Sequence, residues 1–308
     1  MKTALISHPD TLLHVMDGQH PESPARITSI KQAIARSPIH AKLAAFDAPL
    51  ATKQHIARAH QLHYVDSIFA QSPKAGLVRL DADTAMGPHS LEATLRASGA
   101  AILATDLVMK GQVKNAFCCT RPPGHHAGLA NSAGFCIFNH VAVAVMHLLT
   151  HYAVKRVAII DFDVHHGDGT EDIFKDNPAV MLCSTFQHPF YPHKGANSRT
   201  ERMINVPLPA GTNGESFRKA VLTEFSPALK RFQPEFIFVS AGFDAHSQDP
   251  LANLSLEVDD FAWMTEYIVE QSEKMCGGRV VSCLEGGYHL QYLASAAVAH
   301  IQGLTEST

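Results

Sequence analysis

The sequence predicts an α/β fold, a single domain built on a central parallel β-sheet with helices on both faces. Three observations carry that prediction. Short β-branched or apolar runs alternate with longer segments in which apolar residues recur every three or four positions, the pattern of strands joined by helical crossovers. Four of the short runs end directly in polar residues and glycines, and an open parallel sheet gathers its ligand site beyond the carboxyl ends of its strands. Composition agrees, because 46% hydrophobic and 18% charged residues suit a globular chain with an ample core.

Taken in order, the first strand is the run 4–6, Ala-Leu-Ile. A helix follows at 24–37, where Ile27, Ile30 and Ile34 share one face, and a second at 90–110 with Leu91, Leu95 and Ile102. The run 116–120 is the next strand, and 139–152 the next helix, with Val141, Val145 and Leu148 in step. Strands are expected at 156–161, a Val- and Ile-bearing run, and at 180–184, Val-Met-Leu-Cys-Ser. Helix 214–232 carries Phe217, Val221 and Phe225, strand 236–240 reads Phe-Ile-Phe-Val-Ser, helix 258–275 carries Phe261, Met264 and Ile268, and strand 279–284 closes the series. At 308 residues the chain could hold two average domains, but no repeat, low-complexity tract or linker divides it. One domain, 1–308, is expected.

Charge and termini exclude several classes. The net charge is −4 with no basic block, which argues against nucleic acid as a partner. No run of about 18 apolar residues occurs, and the start Met1-Lys2-Thr3-Ala4-Leu5-Ile6-Ser7 turns polar too soon for a signal peptide. No membrane association is expected, and a cytoplasmic location is. Six cysteines, at 118, 119, 136, 183, 276 and 283, never form a Cys-x-x-Cys pair and read as buried free thiols of a reducing compartment. Histidine is unusually abundant at 20 residues; His8, His14, His40, His55, His60, His63, His147, His151 and His300 are scattered, and surface or packed polar roles are expected for them.

The chemistry concentrates at 161–169, Asp-Phe-Asp-Val-His-His-Gly-Asp-Gly. Ionisable groups entering a core cost several kcal/mol each unless paired or metal-bound. Strand alternation puts Asp161, Asp163 and His165 on one face and Phe162 and Val164 on the other. With Asp244, from Ala-Gly-Phe-Asp-Ala-His after another strand, Asp163 and His165 make a three-ligand set of two carboxylates and one imidazole. Such a set leaves a coordination position open, as catalytic zinc sites do, and iron(II) or cobalt(II) would suit it too. His125 and His126 follow a stiff Pro122-Pro123-Gly124 turn and could divide the work of base and acid. Asp161 and Asp168 are spare carboxylates able to fix the histidine tautomers. Tyr288, after Gly286-Gly287, offers a phenol to an oxyanion.

The motifs together resemble the zinc-dependent histone deacetylase family, the superfamily that includes acetoin-utilisation proteins and acetylpolyamine amidohydrolases, with class II-like character. They are Gly18 to Arg26 (Gly-Gln-His-Pro-Glu-Ser-Pro-Ala-Arg), Arg-Pro-Pro-Gly-His-His at 121–126, Gly-Phe-Cys-Ile-Phe-Asn at 134–139, the 161–169 segment, Asn-Val-Pro-Leu at 205–208, Ala-Gly-Phe-Asp-Ala-His at 241–246 and Leu-Glu-Gly-Gly-Tyr at 284–288. The resemblance spans almost the whole chain. It implies the arginase-deacetylase fold and one Zn(2+) per chain on Asp163, His165 and Asp244. It also implies His126 as general base and acid, His125 as an electrostatic aid, Asp161 and Asp168 as their partners, and Tyr288 as the carbonyl-polarising residue. Phe135 and Tyr191 match aromatic walls around the acyl-lysine methylenes, the Gly134 carbonyl an acceptor for the substrate N–H, and Asp83 a contact to substrate backbone. Structural K(+) is implied at two places, Asp161, Asp163, His165, Ser184 and Thr185 at one, Phe174, Asn177 and Val180 at the other. Arg26 matches a residue of an internal channel.

Related ureohydrolases hold two manganese ions, but Gly167 and His246 stand where extra carboxylates would be needed, so one metal is expected. Polyamine-selective relatives carry an acidic gatekeeper after an Asp-Pro pair; here Asp249-Pro250 is followed by Leu251, which resembles the acyl-lysine-selective branch. The expected partner is an acyl-lysine peptide or a small acylated amine. Two other readings stay open: a deacetylase of acetylpolyamines or similar metabolites, and a catalytically silent acyl-lysine reader. The sequence leaves the oligomeric state unknown.

Overall fold

The structure, a computed structural model, describes residues 1–306. In chain order its strands are β1 (Thr3–Ser7), β2 (Leu43–Asp47), β3 (Val78–Arg79), β4 (Ala85–Met86), β5 (Asn115–Cys118), β6 (Val157–Asp161), β7 (Val180–Gln187), β8 (Met203–Leu208), β9 (Phe236–Ala241) and β10 (Val280–Leu284). Its α-helices are α1 (Pro24–Arg36), α2 (Lys53–Ile56), α3 (Leu62–Gln71), α4 (Ser90–Met109), α5 (His140–His151), α6 (Asp168–Phe174), α7 (Gly214–Phe232), α8 (Val258–Cys276) and α9 (Leu290–Thr305). Eight strands form one sheet in the order β2-β1-β5-β10-β9-β6-β7-β8. Every neighbouring pair in it is parallel. A two-stranded antiparallel ribbon, β3 with β4, stands apart.

Parallel sheets are covered on both faces, so their strands are apolar at successive positions. β6 shows it: Val157 and Ile159 join the core cluster beneath α4 and α5, and Ala158 and Ile160 the cluster beneath α1, α7, α8 and α9. The six strands expected from the sequence are all present, with ends shifted by at most three residues, and the five expected helices match closely. The sequence reading missed both edge strands. β2, Leu-Ala-Ala-Phe-Asp, is alanine-rich and only half covered, and β8 contains Asn205 and Pro207, which read as breakers. Pro207 is the exposed residue of β8, at an edge where a missing N–H costs nothing. The helices α2, α3, α6 and α9 also escaped; α9 packs against both α1 and α8.

The six cysteines are buried free thiols, as expected. Among the described residues no helix is long and apolar enough to cross a membrane. What matters for function is that β5, β10, β9 and β6 are contiguous in the middle of the sheet. Their carboxyl ends bring residues distant in sequence to one point.

Candidate metal centre and active site

Pairing of β6 ends at Asp161, yet the chain keeps its alternation beyond it. Phe162 and Val164 turn into the core cluster, while Asp161, Asp163 and His165 stay together: the Asp163 N–H donates to Asp161 Oδ1 at 3.1 Å and the His165 N–H to Asp163 Oδ1 at 2.9 Å. The Val164 N–H donates across to Asp244 Oδ1 at 2.9 Å, and the Gly286 N–H to Asp163 Oδ2 at 2.8 Å. Asp163, His165 and Asp244 therefore meet, with ligand atoms all within 4.8 Å of one another. His165 Nδ1 stands 3.0 Å from Asp163 Oδ1 and 3.3 Å from Asp244 Oδ2.

These residues fit a divalent ion on three counts. Asp244 Oδ2 is buried and has no hydrogen bond, which costs free energy unless something positive completes it. Burial and then the charge of Asp163 push the Asp244 carboxyl above its usual range. Although burial opposes it, Asp163 and Asp244 push the His165 imidazole up to about 10; two buried carboxylates thus pull positive charge onto this spot. A nitrogen beside oxygens is also the donor set of catalytic zinc. Gly286 is required here, because a Cβ would lie 2.0 Å from Asp244 Oδ2 and 2.6 Å from Asp163 Oδ2.

The two imidazoles are sorted by their partners. His125 Nδ1 lies 2.9 Å from Asp161 Oδ2, and His126 Nδ1 lies 2.7 Å from Asp168 Oδ1. Both pairings match the expectation. Burial disfavours charge on His125, but Asp161, Asp163 and Glu285 around it win and hold it well above its ordinary range. Burial, followed by the cationic His125 beside it, lowers His126 to about 4 despite Asp168. One ring is therefore charged and its neighbour neutral near pH 7, their centroids 4.1 Å apart.

Above the ligands lies a cavity of about 190 Å³, lined by residues that include His125, His126, His165, Gly286 and Tyr288. All five expected substrate contacts, Asp83, Gly134, Phe135, Tyr191 and Leu251, line it too. Tyr191 meets His126 edge-on at 5.1 Å, and Phe135 meets Tyr288 at 5.9 Å. Gly134 passes so close under His126 that a Cβ would sit 2.3 Å from the ring, and both Gly134 and Phe135 adopt positive φ, 53° and 68°. That turn is held by Asp83 Oδ1, which accepts the Gly134 N–H at 3.1 Å, and by Thr84 Oγ1, which accepts the Phe135 N–H. Asp83 thus braces the wall as well as lining it. Burial keeps the Tyr288 phenol well above its usual range even with the Arg26 guanidinium 4.9 Å from its ring. Arg26 is buried behind this turn, donating from Nε to the Gly287 carbonyl at 2.6 Å and pairing with Glu22 at 3.2 Å.

Several supporting residues escaped the sequence reading. Glu285 lies in a quoted motif, but only the fold shows it buried, accepting the Gly124 and His125 N–H groups at 2.7 and 3.1 Å. Asp249 Oδ2 accepts the Tyr288 and His289 N–H groups at 2.7 and 3.2 Å. Lys194 Nζ lies 2.8 Å from Asp168 Oδ2. Phe190 stacks on His165 with centroids 5.6 Å apart. Lys194 and Phe190 carried no signal in local sequence.

Of the expected cation positions, the first has Asp161 and Ser184 as register partners on β6 and β7. At the second, Phe174, Asn177 and Val180 share the turn from α6 into β7, but Arg202 reaches into it, donating to the Asn177 and Val180 carbonyls at 2.6 and 3.2 Å. The positions expected to deny a second catalytic metal are Gly167 and His246. Gly167 has no room for a side chain, since a Cβ would lie 2.3 Å from Asp161 Oδ2. His246 stacks on Tyr292 with centroids 4.4 Å apart.

Residues 20–304 match the family model described as the histone deacetylase domain. A Synechocystis protein, slr0245, is 37% identical over 308 residues, covering 98% of this chain and 99% of its own length. A histone deacetylase-like amidohydrolase of Pseudomonas aeruginosa is 36% identical over 293 residues, covering 93% of this chain and 77% of that one. The crystal structure of the HDA15 HD domain superposes with a TM-score of 0.91 at 31% identity, covering 100% of this chain and 91% of that one. A sheet whose central strand ends carry this ligand set and histidine pair, and whose relatives are deacetylases and amidohydrolases, places the chain in the histone deacetylase family.

Proposed function

We propose that the chain is a zinc-dependent amidohydrolase that removes acetyl or related acyl groups from acyl-lysine side chains. The observation that carries the proposal is the convergence on one 190 Å³ cavity of the Asp163–His165–Asp244 set, the His126–Asp168 pair and Tyr288. Bound zinc would supply Lewis-acid polarisation of the acyl carbonyl and a more acidic water.

The chain's own residues supply the rest. With Nδ1 engaged by Asp168, His126 presents Nε2 to the cavity, where it takes a proton from the attacking water and returns it to the leaving amine. Its lowered basicity keeps it neutral and ready at pH 7. His125, held cationic by Asp161, stays out of proton transfer and contributes fixed positive charge. Tyr288 remains a phenol and donates its O–H to the carbonyl oxygen as negative charge develops there, the role of an oxyanion donor. Phe135 and Tyr191 flank the acyl-lysine methylenes, and the Gly134 carbonyl accepts the substrate N–H. A structural potassium ion is proposed beside the Asp161–Ser184 pair.

Leu251 on the cavity wall favours the apolar stem of acyl-lysine over a cationic polyamine, whose charge would want a carboxylate. Turnover of an acetyl-lysine peptide against acetylspermidine tests this. The wild type is expected to prefer the peptide, and Leu251→Glu to shift the ratio of kcat/KM toward acetylspermidine by tenfold or more, about 1.4 kcal/mol. A wild type that prefers acetylspermidine would favour the small-molecule reading instead.

A further inference from the structure

The turn between α6 and β7 gathers several backbone oxygens, of which the Asn177 carbonyl also accepts the Val180 N–H at 3.2 Å. Lys175 caps α6 at its carboxyl end, and the carbonyls of Lys175, Asn177 and Val180 point to one place. Convergent carbonyls need either a cation or N–H donors between them. The family resemblance puts potassium here, on Phe174, Asn177 and Val180. In this chain the place is already taken. Arg202 Nη1 donates to the Asn177 carbonyl at 2.6 Å and to the Val180 carbonyl at 3.2 Å, and Nη2 donates to the Lys175 carbonyl at 3.1 Å. The Phe174 carbonyl accepts the Asn177 N–H at 2.9 Å.

Arg202 is well placed to hold that position. It precedes β8, and its own carbonyl accepts the Leu182 N–H of β7 at 2.9 Å, while its N–H donates to Thr200 Oγ1 at 3.3 Å. Its backbone is therefore fastened to the strand that leaves the turn. The guanidinium carries the same single charge as potassium and presents its donors in a rigid fork. A side chain cannot be diluted away, whereas an ion binds only in proportion to its concentration.

We propose that Arg202 takes the place of the second structural cation, so that the turn 174–180 is closed by the chain itself and binds no potassium. The consequence reaches the active site through α6, whose first residue, Asp168, holds His126. The far end of that helix is anchored independently of salt. The inference does not depend on amide hydrolysis and stands or falls separately from it.

Anomalous diffraction from crystals grown in rubidium chloride tests it, with wild type and Arg202→Ala compared. The expected result is no rubidium peak at the turn in the wild type and one bounded by Asn177 and Val180 in the variant. In solution, the melting temperature of Arg202→Ala should rise more than that of the wild type when potassium chloride replaces choline chloride at equal ionic strength. A rubidium peak at the wild-type turn, with Arg202 displaced, would overturn the proposal. So would a folded variant that binds no ion there and shows no added potassium response. If Arg202→Ala and the milder Arg202→Met both fail to fold, the wild-type map decides alone.

Discussion

Tyr288 is the residue on which the proposed chemistry turns most sharply. It is half-buried at the cavity wall, its backbone is tied to Asp249, and Arg26 stands behind its ring. Removing its hydroxyl should leave the cavity's shape intact, because Phe fills the same space. Tyr288→Phe is therefore expected to lower kcat by about a hundred- to a thousandfold, the usual cost of an oxyanion donor, while binding an acyl-lysine ligand with little change. Equal losses in binding and turnover would indicate a packing role instead. At this scale the sequence was most informative where a polar residue sat directly after an apolar run. Asp161, Asp163, His165, Asp168 and Asp244 were legible because nothing else explains ionisable groups at the end of a buried strand. The roles of Asp249 and Lys194 were not. Each acts on a residue at least 26 positions away, as Lys194 does on Asp168, and such contacts exist only once the strands are aligned.

At the level of elements, β6 governs the site because its alternation runs on past its last paired residue. Val157 and Ile159 enter one core cluster and Ala158 and Ile160 the other, which fixes the register that aims Asp161, Asp163 and His165. Truncating a fully buried Ile159 should cost about 2–5 kcal/mol, measured by urea denaturation. The exposed Leu222 on α7 should cost under about 0.5 kcal/mol when cut to Ala. Similar costs at the two positions would contradict the two-sided core. The central strands were readable in sequence since burial on both faces makes them plainly apolar. The edge strands β2 and β8 were not, because an edge tolerates alanine, asparagine and proline, which also spell loop. Helix α9 runs Leu-Gln-Tyr-Leu-Ala-Ser-Ala-Ala, where small residues blur the apolar stripe that marked α1 and α8.

Across the whole molecule, buried histidines set a pH limit on stability. His14, His60 and His140 are lowered to about 4 and His300 to about 3, in each case chiefly by burial. Their rings are spent on internal hydrogen bonds: His300 bridges Thr265 and Ser282 at 2.6 and 2.8 Å, and His140 reaches the Pro122 carbonyl at 3.0 Å. Unfolded, each takes a proton near pH 6.5. Below that pH the unfolded state binds more protons and the fold loses stability. Glu285 and Asp249, raised to about 7 and 6 mainly by burial, work in the opposite direction between about pH 4 and 6. Five buried histidines, His126 included, are lowered to about 4 or below, so stability is expected to fall as pH drops from about 6 to 4.5. Urea denaturation at a series of pH values checks this, and flat stability across that window would contradict it. His300→Gln should make the slope shallower. The architecture was legible early because the strand–helix alternation and the polar strand ends agree with each other; the Arg202 anchor was not, since it joins two turns that only the sheet brings together. The central claim remains that Asp163, His165 and Asp244 hold a zinc ion that hydrolysis requires. Hydrolysis of an acetyl-lysine peptide should be followed in protein stripped of metal and then titrated with zinc, with bound metal counted in parallel. The account predicts no turnover without metal and full recovery at one zinc per chain; metal-free protein that still hydrolyses the peptide, or stays inactive with zinc bound, would contradict it.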